Sequence, residues 1–478
     1  ALRHGAANGV PTSCMHGVGW SEGDGPVPQQ PRGHEGVAVT RGLARARTPG
    51  VQVGMRIAIV AGCRTPFAKS GTVLRSMSAI DLGKVAVREL LARADIPPES
   101  VDRLVFGTVV HSPHAPNIAR EVGLGVLPKG VPASTVSLAC ASANQAIADG
   151  TNLIETGQAH IVIAGGAESL SHIPITLSDR FADTLVQASK ARSFGAKVGV
   201  FTRLRPRDLI PVSPQIAEPT TGESMGEAAE RMAKENGIPR KEQDEWALRS
   251  HLLAHQGSED GRLTSEIAPL YLPPKYETVV ERDNGIRADS SLEALAALRP
   301  VFDRKHGSIT AGNASPLTDG GAAVLLMSEE AVRAHGVKPL AWIRSYAVTA
   351  LDPGGQLLQG PAYAAPIALD RAGITMKEVD RMEMHEAFAA QVLSNLQALG
   401  SREFAQKELG RNEAVGHPEL ERINVMGGSV ALGHPFGATG ARITTTLATE
   451  LQRSDGHFGL LTVCAAGGIG FAMVLERA

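Results

Sequence analysis

Apolar positions along this chain recur with two alternating periods. Met55-Arg56-Ile57-Ala58-Ile59-Val60 passes from alternation into an apolar run, the mark of a strand entering a core. Ile80, Leu82, Val85, Val87, Leu90 and Leu91 then predict a helix over 79–93. Residues 103–110 read as a strand, 142–156 as a helix and 161–164 as a buried strand. Strands alternating with helices predict α/β layers and a parallel sheet. After Ser171 the pattern breaks: 172–295 is charge-rich and irregular, with helices expected near 224–236 and 240–256. Regular α/β character resumes at Gly307. Strands follow at 343–350 and 382–384, helices at 387–399 and 437–451, and a closing strand pair at 459–463 and 472–476.

An internal echo runs through this pattern. Residues 308–315 followed by 320–326 match 459–466 followed by 467–474, each reading as strand, small-residue turn, strand. Cys140 and His385 each precede a helix at a strand end. Two related α/β halves, with a long insertion in the first, account for both features. Chance matching of short Ala/Gly-rich strings is the competing explanation.

Composition narrows the function classes. A chain of 478 residues, 43% hydrophobic, is long enough for more than one domain. Its 47 basic and 49 acidic residues give a net charge of −2, so no global basic excess points to nucleic acid. The four cysteines, at 14, 63, 140 and 464, form neither a disulfide framework nor a zinc-like cluster, and a reducing compartment is expected. No uninterrupted apolar run reaches about 18 residues, so no transmembrane helix is expected. Residues 1–54 lack Lys, carry five Arg and are scattered with Gly, Pro and His. They read as a disordered or translated upstream segment before Met55; an Arg-rich transit peptide around Arg41 to Arg47 is the alternative.

Three small-residue segments carry the candidate chemistry. Cys140 lies in Ser137-Leu138-Ala139-Cys140-Ala141-Ser142-Ala143, Cys464 in Val463-Cys464-Ala465-Ala466-Gly467-Gly468, and His434 in Gly427-Gly428-Ser429-Val430-Ala431-Leu432-Gly433-His434-Pro435. Small neighbours let a substrate approach a sulfur closely. Two thiols and an imidazole suit carbon–carbon cleavage through a thioester. A helix start after Cys140 is expected to lower its thiol pKa and favour the thiolate; the competing reading is a buried structural cysteine. His434 reads as a base for that cysteine or as a structural histidine. His385-Glu386-Ala387-Phe388 is not H-E-x-x-H, so a zincin site is rejected and no metal is expected. Gly468-Ile469-Gly470 does not extend to a full G-x-G-x-x-G and no Walker loop is present, which leaves nucleotide binding unsupported.

Taken together, these motifs resemble the thiolase (acetyl-CoA acyltransferase) family. The match runs from about Arg56 to the C-terminus. It rests on the Cys140 segment, Asn313-Ala314-Ser315-Pro316-Leu317-Thr318-Asp319-Gly320, Glu386-Ala387-Phe388, Gly433-His434-Pro435 and Cys464-Ala465-Ala466-Gly467-Gly468, with Arg299-Pro300-Val301-Phe302-Asp303 fitting as well. Most thiolases carry Asn where this chain has His385, and the histidine resembles the β subunits of fatty-acid oxidation trifunctional complexes. The resemblance implies an α/β fold of five layers, αβαβα, made of two similar halves: 55–330 with a loop domain at 172–295, and 331–478. It implies thiolysis of medium- to long-chain 3-ketoacyl-CoA in β-oxidation, with coenzyme A as co-substrate and no bound cofactor. Cys140 would be the nucleophile, His434 its base and Cys464 the second acid–base. His434 and His385 would serve one oxyanion hole, and the backbone N–H groups of Cys140 and Ala466 the other. Ser315, Ala387 and Phe388 match positions lining the pantetheine channel. A biosynthetic acetoacetyl-CoA thiolase and a non-catalytic acyl-CoA-binding or scaffolding subunit are the alternatives. Ketoacyl synthases generally pair one Cys with two His, so Cys464 argues against them.

Between Arg180 and Arg207 stand seven basic residues and one acid, Asp183, interleaved with apolar side chains such as Phe181, Leu185, Phe194 and Phe201. Residues 177–210 therefore read as a solvated charged face, a contact for an anionic membrane surface, or a grip on CoA phosphates or a partner subunit. The resemblance implies a homodimer within an α2β2-type complex whose α subunit carries hydratase and 3-hydroxyacyl-CoA dehydrogenase activities. A bacterial cytoplasmic location is expected, with a mitochondrial one as the alternative.

Overall fold

The computed structural model describes residues 56–212 and 217–478; the leader expected at 1–54 lies outside them. In the first half, β1 (Ile57–Arg64), α1 (Ala79–Ala94), β2 (Arg103–Gly107), α2 (Ile118–Leu124), β3 (Ala133–Val136), α3 (Ser142–Glu155) and β4 (Ile161–Glu168) follow in order. An insertion contributes α4 (Asp179–Lys190), α5 (Phe194–Phe201), α6 (Met225–Glu235) and α7 (Arg240–Glu259), and then β5 (Thr318–Ser328) closes the half. The second half runs β6 (Ala341–Ala350), α8 (Gly360–Ala372), β7 (Val379–Met384), α9 (Ala389–Gly400), α10 (Thr439–Arg453), β8 (Phe458–Ala465) and β9 (Ile469–Arg477).

Strand pairing reveals the repeat. In the first half β2 is parallel to β4, β4 antiparallel to β5, and β5 antiparallel to β1. In the second, β7 is parallel to β8, β8 antiparallel to β9, and β9 antiparallel to β6. β3 extends the first sheet beside β2, whereas its counterpart is a single bridge between Met382 and Ile423. A short antiparallel pairing of Ile57–Ile59 with Ala341–Ile343 joins the halves into one continuous sheet.

Alternation along the strands builds the layers, because successive side chains face opposite ways. Ala322, Val324 and Leu326 of β5 and Phe471, Met473 and Leu475 of β9 face one shared core filled by α3 and α10. Ala323, Leu325 and Met327 face the other way, onto α1 and α2. Ala472 and Val474 of β9 pack toward α8 and α9. The order is helix, sheet, helix, sheet, helix, as the resemblance implies. The central helices α3 and α10 are covered on both sides.

Three expectations need correction. The sheet is mixed rather than parallel: β2–β3, β2–β4 and β7–β8 pair in parallel, whereas β4–β5, β5–β1, β1–β6, β6–β9 and β9–β8 pair antiparallel, because β8 turns directly into β9 without a crossover helix. Residues 308–315 are not a strand. The true counterpart of β8 is β4, and 169–317 separate β4 from β5 where the second half has only the 466–468 turn. The echo therefore aligned the β5–β9 pair correctly and its preceding strand wrongly. For the same reason Cys140 and His385 are not counterparts; Cys140 precedes α3 and His434 precedes α10. The insertion also holds more helix than its period showed. Besides α6 and α7 it contains α4, capped by the Ser178 hydroxyl, and α5, capped by Ser193. Among the described residues no helix is long and apolar enough to cross a membrane.

Candidate active site

Cys140 is presented by a tight turn between β3 and α3. Ala139 before it has φ +46°, a left-handed conformation costing about 1–2 kcal/mol for a residue with a Cβ. The Ser142 hydroxyl holds the turn by donating to the Ala139 carbonyl at 2.6 Å and accepting from the Leu138 N–H at 2.9 Å. Small residues are required around it. A Cβ on Gly166 would lie 1.9 Å from the Gly437 carbonyl oxygen, so β4 and the loop after His434 meet backbone to backbone.

His434 arrives from the other half. Gly433 has φ +98° and sets the ring's approach, and the His434 N–H donates to the Thr318 hydroxyl at 3.1 Å and the Pro316 carbonyl at 3.3 Å. The 313–320 segment is thus part of the site's frame. It also lies against Ala387 and Phe388: Ala314 bridges Phe388, and the Ser315 N–H donates to the Ala387 carbonyl at 2.9 Å. Phe388 and Ala387 share a small apolar cluster with Cys464, Leu357 and Leu358. Ser315, Ala387 and Phe388 therefore form one continuous wall reaching the second cysteine.

His385 closes the site at the end of β7, its N–H donating to the Thr462 carbonyl at 2.9 Å. Its ring centroid lies 4.2 Å from that of His434. One ring nitrogen of each histidine and Cys140 Sγ all lie within 4.8 Å of one another. Both Nε2 atoms are buried without a hydrogen-bond partner in the fold. Among the described residues these three groups are the one set whose ligand atoms could close on a metal ion. A thiol beside two imidazoles is equally the set that nucleophilic thioester chemistry uses. Cys464 is near enough that the Cys140 sulfur helps to raise its thiol pKa, after burial itself. The backbone N–H groups of Ala466 and of Cys140 lie near enough to the Cys140 sulfur to oppose the rise in its thiol pKa.

The protonation states correct one expectation. Burial pushes the Cys140 thiol up to about 12, and the two N–H groups that oppose the rise do not reverse it. Burial, with Arg442 adding to it, takes His434 down to about 3. Burial, then His434 and Arg442, hold His385 well below its ordinary value. Desolvation disfavours every charged form here and outweighs the helix-start effect. The resting pair is a neutral thiol beside a neutral imidazole.

Two family models match the chain. The one described as thiolase, N-terminal domain, covers residues 57–330, and the one described as thiolase, C-terminal domain, covers 337–477. The chain belongs to the thiolase family. It is 53% identical over 424 residues to a 3-ketoacyl-CoA thiolase of Yersinia pestis, spanning 88% of this chain and 97% of the relative. Among solved structures it is similar to the Bacillus anthracis acetyl-CoA acetyltransferase, with TM-score 0.76 and 33% identity over 89% of this chain and 99% of that one. It is also similar to human mitochondrial 3-ketoacyl-CoA thiolase in complex with CoA, with TM-score 0.74 and 31% identity over 89% and 98%. As a thiolase it is an acyltransferase.

Several buried polar residues of this thiolase site have no role that the sequence alone assigns. Glu386 accepts from Trp246 Nε1 at 3.0 Å, the Ser250 hydroxyl at 2.7 Å and Asn424 Nδ2 at 2.8 Å, and so ties α7 to the His385 strand end. Glu168 accepts from the N–H groups of Val109, Val110 and Gly437, holding the loop after His434 against β4. The Thr439 and Ser429 hydroxyls touch the histidine Nδ1 atoms at 2.6 Å and 3.0 Å. Ser429 sits inside the quoted glycine-rich motif, so the signal was present, but only tertiary contact gives it a partner. Cys63 is a structural cysteine, its thiol donating to the Ala86 carbonyl at 3.1 Å.

Proposed function

We propose that this chain catalyses the CoA-dependent thiolysis of medium- to long-chain 3-ketoacyl-CoA to acetyl-CoA and an acyl-CoA two carbons shorter. The observation carrying this is the meeting of Cys140, His434, His385 and Cys464 in a chain 53% identical to a 3-ketoacyl-CoA thiolase over most of its length. His434 Nε2 takes the proton from Cys140 Sγ as the sulfur attacks the keto carbon. The C2–C3 bond breaks, the acyl group stays on Cys140 as a thioester, and Cys464 gives its proton to the acetyl-CoA carbanion. CoA then enters, Cys464 takes the proton of its thiol, and the CoA sulfur displaces the acyl group. The proton on His434 returns to Cys140. Nucleophilic catalysis of this kind gives ping-pong kinetics.

Developing negative charge needs donors fixed in advance. The Cys140 and Ala466 N–H groups, both near the sulfur, suit the oxyanion formed on attack. His385 and protonated His434 suit the thioester oxygen. Ser315, Ala387 and Phe388 would line the approach of the pantetheine arm, as the CoA carried by the human mitochondrial relative supports. The direct experiment follows 3-ketoacyl-CoA consumption with CoA across acyl lengths. Release of an acyl-CoA two carbons shorter is expected, and consumption at no chain length would overturn the reading.

The α4–α5 hairpin supports a further part of the proposal: peripheral contact with an anionic membrane, alongside a hydratase/dehydrogenase partner. Phe194 is 83% exposed and Ile175 69%, with Val186, Val198 and Phe201 also on the surface. All seven basic residues between 180 and 207 are exposed beside them. Apolar insertion plus cationic attraction is the combination that holds a protein at an anionic bilayer.

A further inference from the structure

The two histidines of the site face each other, yet the proposed reaction asks opposite things of them. His434 must present a bare Nε2 to take a proton, and His385 must present Nε2–H to an oxyanion. Both rings are fully or almost fully buried and neutral, so each task depends on which nitrogen carries the single proton. That choice is set by the partner of the other nitrogen.

At His434 the partner is Thr439 Oγ1, 2.6 Å from Nδ1 and 3.1 Å from the Pro435 carbonyl. With its one proton directed to that carbonyl, the hydroxyl keeps a lone pair to accept from Nδ1–H. Nε2 is then bare. At His385 the partner is Ser429 Oγ, 3.0 Å from Nδ1. Its second contact is not a carbonyl but Arg442 Nη2 at 3.2 Å. A guanidinium only donates, so the Ser429 oxygen accepts from Arg442, and among the described residues the one acceptor within reach of its own proton is His385 Nδ1. Arg442 is itself held by Glu383, 3.4 Å away. Glu383, Arg442, Ser429 and His385 are each 0–4% exposed, so bulk solvent does not compete for these contacts.

We propose that Ser429, oriented by Arg442, is a positioning residue that fixes His385 with its proton on Nε2, making that imidazole a dedicated hydrogen-bond donor to the thioester oxygen. The proposal rests on the thiolase reading above. The contrast between a carbonyl beside Thr439 and a guanidinium beside Ser429 gives two adjacent imidazoles opposite tautomers.

The test is a double-substitution cycle, with wild-type thiolysis measured first; a wild type that consumes no 3-ketoacyl-CoA overturns the functional reading itself. Removing a whole oxyanion donor costs about 100- to 1000-fold in kcat. S429A, which frees the ring without deleting it, is expected to lower kcat about 10- to 100-fold with KM within about threefold. In an H385N background, where the side chain has no tautomer, S429A should cost less than about threefold. An equal loss in both backgrounds, a loss confined to KM, or no loss at all overturns the proposal. A readout independent of turnover uses protein carrying 15N-labelled histidine, with the His385 signals assigned by their disappearance in H385N. Wild type should show a protonated Nε2 and unprotonated Nδ1, and S429A a mixture; an identical tautomer in both proteins also overturns it.

Discussion

Cys140 and His434 illustrate how burial sets chemistry at the level of single residues. Burial pushes the thiol up to about 12 and the neighbouring imidazole down to about 3, which favours a neutral resting pair near neutrality. The group with the raised value is neutral below it, and the group with the lowered value is neutral above it, so the whole range between the two holds an uncharged pair. Iodoacetamide should therefore alkylate Cys140 with a rate rising about tenfold per pH unit from pH 7 to 9, following the thiolate fraction. A pH-independent plateau across pH 5–8 would reveal a preformed thiolate–imidazolium pair and contradict this. Small neighbours and the glycine–proline setting single out Cys140, Cys464 and His434 in the sequence, and the thiolase resemblance singles out His385; the structure brings these side chains together. Their protonation was not legible in the sequence. A helix start is visible in a sequence, whereas the desolvation that outweighs it comes from residues hundreds of positions away.

Close backbone contact between elements holds the site together. β4 reaches the loop after His434 at Gly166, and Glu168 two residues later clamps the same loop through Gly437 N–H at 3.0 Å. Gly166→Ala places a methyl 1.9 Å from one carbonyl oxygen and 2.6 Å from another, neither of which is a flexible side chain. It should lower stability by about 1–3 kcal/mol, measured by denaturant unfolding, and reduce thiolysis by at least about tenfold as His434 shifts from Cys140. Unchanged activity and stability would show that the two elements are not locked. Periodic helices and strands were legible to within a few residues: 79–93 became Ala79–Ala94, and 437–451 became Thr439–Arg453. The 308–315 segment misled because Ser-Ile-Thr-Ala looks like a strand, while its backbone instead serves Glu230 and Asn313 hydrogen bonds. The α4 and α5 helices were missed because their apolar side chains face outward, so no core-facing stripe announced them.

At the scale of the whole molecule, the two halves bring together groups that neither holds alone: Cys140 from the first, His385, His434 and Cys464 from the second. Sequence order could name these residues, but only the pairing of equivalent sheets around α3 and α10 makes them neighbours. The exposed hairpin lies outside that design and carries its own prediction. Sedimentation with phosphatidylglycerol vesicles should pull down the protein, phosphatidylcholine vesicles should not, and Phe194→Glu with Val198→Glu should abolish the binding while leaving thiolysis within about twofold. Equal binding to both lipids, or none to either, contradicts the membrane reading. The central claim is that Cys140 carries the acyl group between two substrates. Its most direct measurement is the intact mass of the protein after mixing with acyl-CoA in the absence of free CoA. The account predicts an increase of one acyl group, mapped to Cys140, lost on adding CoA and absent in Cys140→Ala; an acyl adduct that persists in Cys140→Ala, or no adduct from any acyl-CoA in an enzyme that still turns over, would contradict it.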